Sequence, residues 1–356
     1  MRKIIYVYFN IMAKSRKKMK KNNNRMTKKN KSLSRKSLSR KSLSRKSLSR
    51  KSLSKKKKLV IGIVTVPLSP GKKYFGVCGD SYIATAHINW IRSVGMEILP
   101  IPFTTTDFDY YVKRVNGLYL PSGGAFALNQ LEYYNCCKSF IKCAIRENEN
   151  GNYFPIWGGC MGMQQMMMVG DNKDNLNLLT RFDSFNNLML PLDITKEGLK
   201  GKLLSRASQR FLAKLKNTNC TLNNHKMGLS PSDFKRSKML HRFYRIVSTN
   251  KDRKGKEFVS TIEARDYPFY GVQWHPERGG DMQYFIKFFK HEANKSNKIK
   301  KDIQLHKPLQ HKRVNCMTYS NNLYKFCDFY WHTKTSAHNK KLCSVATLGD
   351  PITNAV

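Results

Sequence analysis

The segment Phe154-Pro155-Ile156-Trp157-Gly158-Gly159-Cys160-Met161-Gly162-Met163-Gln164 constrains this chain more than any other stretch. An apolar, strand-like run ends in a cysteine flanked by glycines and opens directly into a second apolar run of helical type. A side chain on so sharp a strand-to-helix turn needs small neighbours, because its backbone is strained and it must stand clear of the sheet. The glycines at positions −2, −1 and +2 from Cys160 meet that need. The helix that follows would aim its positive N-terminal end and free N–H groups at the sulfur, which favours the nucleophilic thiolate. Taken alone, a cysteine in an apolar setting is more often an inert core residue.

A second segment, about 115 residues on, changes that balance: Phe269-Tyr270-Gly271-Val272-Gln273-Trp274-His275-Pro276-Glu277. A β-prone apolar run delivers a histidine at its C-terminal end, with a carboxylate two residues later. A cysteine nucleophile needs an imidazole to take its proton, and the imidazole needs a partner that fixes its tautomer. Cys160, His275 and Glu277 supply these three roles.

The rest of the chain predicts where these pieces sit. Leu59 to Val66 is a continuous apolar run ended by Pro67, which suits a strand buried on both faces. Tyr82-Ile83, Ala86, Trp90-Ile91 and Val94 recur at helical spacing, with Ser81 as N-cap and Gly95 as the stop. Strands are expected at Glu97 to Ile101 and Val115 to Leu120, a long helix from Gln130 to Arg146, and a strand from Phe154 to Trp157. Ser205 to Leu215 reads as helix, Asn223 to Pro231 as loop, and Phe258 to Glu263 and Tyr270 to Trp274 as consecutive strands. Met282 to His291 closes the pattern as an amphipathic helix whose inner face carries Tyr284-Phe285 and Phe288-Phe289. Strands alternating with helices in this way specify an α/β fold, a doubly wound, mostly parallel sheet flanked by helices. Sites in such sheets lie at the carboxyl ends of the strands, where the Gly123-Gly124 turn, Cys160 and His275 would all converge. There the amides near Gly124 and of Met161 could form an oxyanion hole.

The formal net charge of +43 looks like a nucleic-acid signature until its distribution is read. Residues 1 to 58 hold about 24 Lys and Arg and no Asp or Glu, with Lys-Ser-Leu-Ser-Arg repeating in tandem from Lys31 to Arg50. So short a period builds no packed core and predicts a disordered basic tail, with polyanion or anionic-membrane binding as its alternative role. Met1-Arg2-Lys3 before Ile4 to Ala13 resembles the opening of a short signal peptide. Asn10 and the lysines after Ala13 weaken that reading, with which a start at Met12 or Met19 and a cytoplasmic chain compete. No run approaches the roughly 20 apolar residues of a membrane span. The nine cysteines form neither a regular disulfide framework nor paired C-x-x-C ligand sets, and the chemistry of the motifs asks for no metal or cofactor. Three regions are expected: the tail 1–58, a catalytic domain 59–293, and an extension 294–356 in which periodicity fades.

With elbow, glycine turn and His-Pro-Glu in this order, the chain resembles the class I glutamine amidotransferase-like superfamily, and more closely the gamma-glutamyl hydrolases. The closer match is carried by Ile61-Gly62-Ile63-Val64-Thr65, Tyr82-Ile83-Ala84, Leu120-Pro121-Ser122-Gly123-Gly124, Tyr153 to Gly162, Asn224-His225-Lys226 with Leu229-Ser230, and Tyr267 to Glu277. The resemblance implies hydrolysis of gamma-glutamyl bonds in folate and antifolate polyglutamates through an acyl-enzyme on Cys160. It implies His225, Gln273, Tyr82, Gln164 and Lys226 as substrate-side residues, and a vacuolar, lysosomal or secreted enzyme, often a homodimer. The chain departs from the family pattern at three positions: Gly159 stands for the usual threonine, Gln164 for a glutamate, and Met227 for an aromatic residue. Two other readings compete, a glutaminase module that feeds ammonia to a partner and a non-catalytic binding protein that works through its tail.

Overall fold

A strand buried along its whole length must be covered on both faces, and Val60–Val64 is such a strand. The computed structural model describes residues 59–67, 81–123, 131–173, 176–279, 281–296, 310–313 and 328–331. The expected tail 1–58 lies outside them. In chain order the first strands are β1 Val60–Val64, β2 Val66–Pro67, β3 Ser81–Ala84, β4 Glu97–Ile101, β5 Gly117–Leu120 and β6 Ile156–Gly159. They are followed by β7 Thr180–Leu190, β8 Asp193–Ile194, β9 Thr221–Gly228, β10 Tyr244–Lys251, β11 Glu257–Ala264 and β12 Phe269–Val272. The main helices are α1 Thr85–Arg92, α2 Leu131–Glu149, α3 Met161–Asp171, α4 Gln209–Asn217 and α5 Gln283–Asn294.

Eight strands form the central sheet in the order β4-β1-β5-β6-β12-β11-β10-β8. It is parallel from β4 through β12 and antiparallel beyond. The register places the site. Leu120 pairs with Gly158, and Gly159 pairs with Val272, so the ends of β5, β6 and β12 lie level. Whatever follows these strands emerges side by side at the carboxyl edge.

Alternate residues of β6 serve opposite faces of the sheet. Trp157 faces α1 and α5, with its ring 5.7 Å from Trp90, 6.1 Å from Phe285 and 6.0 Å from Phe289. Gly158 faces α3, where an added Cβ would lie 2.5 Å from Met166 Sδ. Phe285, Ile286, Phe288 and Phe289 of α5 are buried as the amphipathic pattern requires, and Tyr284 is partly buried with its hydroxyl donating to the Leu203 carbonyl at 2.8 Å. Each such large side chain contributes roughly 1.5–3 kcal/mol by leaving water.

Two expectations fail for one physical reason, which is that strand pairing outweighs the local pattern. Ser81–Ala84 is not the first turn of a helix: Tyr82 and Ser81 pair antiparallel with Val66 and Pro67, and α1 begins only at Thr85. Gly95, with φ +72°, does end that segment. Asn223 to Gly228 is likewise strand rather than loop, because β9 pairs along the eleven-residue β7. The helix read at Ser205 begins later, at Gln209, where Ser208 accepts the Phe211 N–H as N-cap. In the extension, Gln310–Arg313 (β13) and Asp328–Trp331 (β14) are strands, ordered β13-β14-β3-β2. Among the described residues no helix is long and apolar enough to cross a membrane.

A Cβ on Gly162 would lie 2.0 Å from the Leu120 carbonyl oxygen, a backbone atom of β5. Gly162→Ala is therefore expected to destabilise the chain by about 1–3 kcal/mol in urea unfolding, through forced separation of α3 from the sheet. An unchanged midpoint would contradict this close approach.

Candidate active site

Cys160 links β6 to α3 with φ 45° and ψ −102°, a conformation that L-residues rarely adopt. Strain of this kind costs about 1–3 kcal/mol and persists only where the surroundings over-determine it. Here they do. The Cys160 N–H donates to the Val272 carbonyl at 2.7 Å, pinning the elbow to β12, and the Gln164 N–H donates to the Cys160 carbonyl at 3.1 Å, starting α3. The flanking Gly158 and Gly162 are required by contact: a Cβ on Gly158 would lie 2.8 Å from the Met163 nitrogen, and one on Gly162 2.0 Å from the Leu120 carbonyl oxygen. Cys160 is buried and gives α3 no side-chain cap, so its sulfur is free for other partners.

Beyond β12 the chain keeps its alternation for three residues. Trp274 turns into the core, 5.0 Å from the Phe285 ring, with its indole N–H donating to Thr261 Oγ1 at 3.3 Å. Gln273 and His275 turn the other way. The Gln273 side-chain amide donates to Cys160 Sγ at 3.5 Å. The His275 N–H donates to the Leu222 carbonyl at 2.8 Å, which draws β9 over the site. Pro276 then starts a single 3-10 turn, Pro276–Arg278, which folds Glu277 back so that His275 Nδ1 donates to Glu277 Oε1 at 2.8 Å.

Burial alone would push the His275 pKa down, but the carboxylate of Glu277 and the sulfur of Cys160 together outweigh it and raise the pKa to about 9. Burial works against Glu277 too, yet the His275 ring, His87 and Arg278 hold its carboxyl below the usual range. His275 Nε2 is buried and has no hydrogen-bond partner among the described residues. The ring is thus oriented by Glu277 at Nδ1, with the Cys160 sulfur near enough to add to its raised pKa.

His225 lies on β9, buried, and not on a solvated loop. Its Nδ1 donates to the Met227 carbonyl at 3.0 Å, which leaves Nε2 a bare acceptor without a partner among the described residues. Burial lowers its pKa to about 3, so the ring is neutral. The same Met227 carbonyl accepts from Gln164 Nε2 at 2.8 Å, and Gln164 Nε2 also reaches Gln273 Oε1 at 3.4 Å. An ionised glutamate at position 164 could make neither bond, since both partners are acceptors. The ammonium of Lys226, next on the strand, sits 4.7 Å from the centre of the Phe185 ring. Tyr82 lies on β3. Gly124 lies outside the described residues, so of the expected oxyanion pair only Met161 is described, buried at the first turn of α3.

Three residues not anticipated from the sequence complete the cluster. His87 of α1, Tyr119 of β5 and Ser122 just beyond β5 are all buried. His87 Nδ1 meets the Tyr119 hydroxyl at 2.8 Å and its Nε2 meets Ser122 Oγ at 2.8 Å. Ser122 Oγ donates to Glu277 Oε1 at 3.3 Å. A histidine at i+4 from Ile83 and i−4 from Ile91, on the apolar stripe of a helix, was the available signal. Among the described residues no group of three or more His, Cys, Asp or Glu could hold a metal ion.

A strained cysteine on an elbow beside a buried His–carboxylate pair, at the carboxyl edge of a parallel sheet, defines the cysteine-hydrolase class of the glutamine amidotransferase-like superfamily. Within that class the chain belongs to the Peptidase C26 family, whose profile matches residues 59–277. It is 30% identical over 259 residues to gamma-glutamyl hydrolase B of Dictyostelium discoideum, covering 67% of this chain and 73% of that protein. It is 31% identical over 260 residues to human gamma-glutamyl hydrolase, covering 68% and 79%. The rat gamma-glutamyl hydrolase is 36% identical over 202 residues, and there the match spans 56% of this chain and 62% of the relative.

Two outcomes are expected from the site's electrostatics and strain. A histidine whose pKa rises from 6.5 to about 9 on folding stabilises fully below pH 6.5 and loses that contribution as pH rises toward 9. The neutral His87 and His225, lowered to about 4 and about 3, act oppositely and weaken the fold as pH falls below 6.5. Urea unfolding should therefore show greatest stability near pH 6.5, and Glu277→Gln should flatten the decline toward pH 9. A wild-type decline that Glu277→Gln leaves intact would contradict the His275–Glu277 coupling. Cys160→Gly should be more stable than Cys160→Ala by about 1 kcal/mol, because only glycine adopts the elbow conformation without strain. Equal stabilities would show that the elbow stores no strain.

Proposed function

We propose that this chain hydrolyses gamma-glutamyl peptide bonds, with folate poly-gamma-glutamates as the substrate class. The observation that carries the reading is the His275–Glu277 pair at 2.8 Å beside the strained Cys160, in a chain of the Peptidase C26 family. The Cys160 thiolate attacks the gamma-carbonyl carbon, and the oxyanion that forms is met by the Met161 amide together with that near Gly124. His275, protonated at neutral pH because Glu277 and Cys160 raise its pKa, gives its proton to the leaving amine as the C–N bond breaks. A thioester remains on Cys160. Neutral His275 then takes a proton from water, whose oxygen attacks the thioester, and the glutamate gamma-carboxylate departs as the thiolate and imidazolium are restored.

The other residues divide by what they offer. Gln273 donates to Cys160 Sγ and is itself fixed by Gln164. The bare Nε2 of His225 accepts a substrate N–H, while Tyr82 and Lys226 contribute to the substrate side. A polyglutamate tail bears a carboxylate on every residue, so Lys226 and Arg278, the basic residues nearest the motifs in the sequence, would help to hold it. The basic tail can add polyanion binding outside the site. Gamma-glutamyl specificity fits a vacuolar, lysosomal or secreted setting and a homodimer, both implied by the family resemblance.

Chromatographic product analysis on a gamma-linked pteroylpentaglutamate and its alpha-linked isomer tests the reading. The gamma-linked compound should be cleaved and the alpha-linked one left intact. Cys160→Ala and His275→Ala should each lose at least about a thousandfold in kcat. His225→Ala should lose about tenfold in kcat/KM, the worth of one hydrogen bond of roughly 1.4 kcal/mol. Undiminished turnover by Cys160→Ala, or equal cleavage of both isomers, would refute the assignment.

A further inference from the structure

We propose that His87 is a positioning residue, the centre of a relay Tyr119–His87–Ser122 that fixes the Glu277 carboxylate against His275. The inference rests on the Cys160–His275–Glu277 reading above. Its geometry allows one arrangement of hydrogens. An ionised Glu277 can only accept, so Ser122 must give it the single hydroxyl proton across the 3.3 Å contact. Ser122 Oγ is then an acceptor toward His87, which must carry its hydrogen on Nε2, 2.8 Å away. That leaves His87 Nδ1 with a lone pair, and the Tyr119 hydroxyl donates into it at 2.8 Å. Every member is satisfied in this direction.

A charged His87 would break the order. Its Nδ1–H would compete with the Tyr119 hydroxyl proton, and a second cation 3.7 Å from Glu277 Oε1 would draw the carboxylate away from His275. The charged and titratable groups that face His87 are Glu277, His275, Arg278 and Tyr119, whose hydroxyl burial keeps protonated. Burial first, then the repulsion of His275 and Arg278, prevails over the attraction of Glu277 and lowers the ring's pKa to about 4. Between about pH 4 and about pH 9 the relay therefore stays neutral while His275 is charged. Glu277 gives its negative charge to one histidine and receives only a neutral hydroxyl from the other side.

Gly159 belongs to the same device. A Cβ at this position would lie 3.1 Å from the Tyr119 hydroxyl oxygen, tighter than most real contacts, so a side chain there would press on that hydroxyl. The residue that departs from the family's usual threonine is the one that makes room for the head of the relay. Tyr119, His87, Ser122 and Gly159 come from three separate segments, and each is needed by the next.

The test is a steady-state pH profile of the full chain on pteroylpentaglutamate for His87→Ala, His87→Gln, Ser122→Ala and the His87→Ala/Ser122→Ala double variant. His87→Ala and Ser122→Ala should each lower kcat about tenfold with KM within twofold. The alkaline limb of kcat/KM should move to lower pH by about half a unit or more, as the loosened carboxylate supports the imidazolium less. His87→Gln, which can both accept and donate, should recover part of the loss. The double variant should be no worse than His87→Ala, because both changes cut one chain of bonds. If His87→Ala does not fold, Ser122→Ala and His87→Gln decide alone. Wild-type kcat and an unmoved alkaline limb in the folded variants, with Cys160→Ala inactive, would overturn the relay and leave the triad standing. Activity surviving in Cys160→Ala would instead overturn the reading on which the relay rests.

Discussion

The hydrogen bond from the Cys160 amide to the Val272 carbonyl, 2.7 Å long, is the constraint on which the rest of the site depends. It joins the end of β6 to the end of β12 at the point where the backbone is most strained, and it holds Cys160 at φ 45°. The bond can form only because Gly159 and Val272 are in register and no side chain at positions 158 or 162 stands between α3 and the sheet. About 1–3 kcal/mol of backbone strain is small beside the burial of Trp157, Trp274, Phe285 and Phe289 behind the same strands. The sheet can therefore keep a thiol in a conformation that a free chain would leave.

From that point outward the electrostatics follow from where one carboxylate lies. Three histidines are buried within this site, and burial disfavours the charge on each. His275 alone has Glu277 on its ring nitrogen at 2.8 Å, and its pKa rises to about 9. His87 lies 3.7 Å from the same carboxylate without a direct hydrogen bond to it, and His225 meets the Met227 carbonyl instead, so burial prevails in both and their pKa values fall to about 4 and about 3. One negative charge thus separates a proton-carrying imidazole from two neutral ones. Gln164 extends the same economy of charge, since its amide serves two acceptors that a carboxylate would repel.

The legible parts of the sequence were those in which local pattern and tertiary role agree. Leu59 to Val66, Phe154 to Gln164 and Phe269 to Glu277 announce buried strands and sharp turns through their own residues, and the parallel sheet with its site edge follows from them. The chain from Thr221 to Gly228 could not be read so, because its asparagines and glycine look like a turn and only pairing with β7 makes it a strand. Tyr82-Ile83 fits a helical period but is claimed by β2. His87 was hidden for a different reason: on a helix's apolar stripe a histidine looks like packing, and its function appears only when Tyr119, Ser122 and Glu277 are brought around it. Gly159 read only as a departure from the family's threonine, whereas in the fold it leaves room beside the Tyr119 hydroxyl.

The central claim is that Cys160, held in its strained turn beside His275, forms the covalent intermediate. Rapid-quench mass spectrometry of the chain mixed with a gamma-linked glutamyl substrate tests it most directly, with the adduct located by peptide mapping under acid quench. The account predicts a transient acyl mass on the peptide that contains Cys160, and no such mass on that peptide in Cys160→Ala. An acyl group found on any other residue during turnover would contradict it.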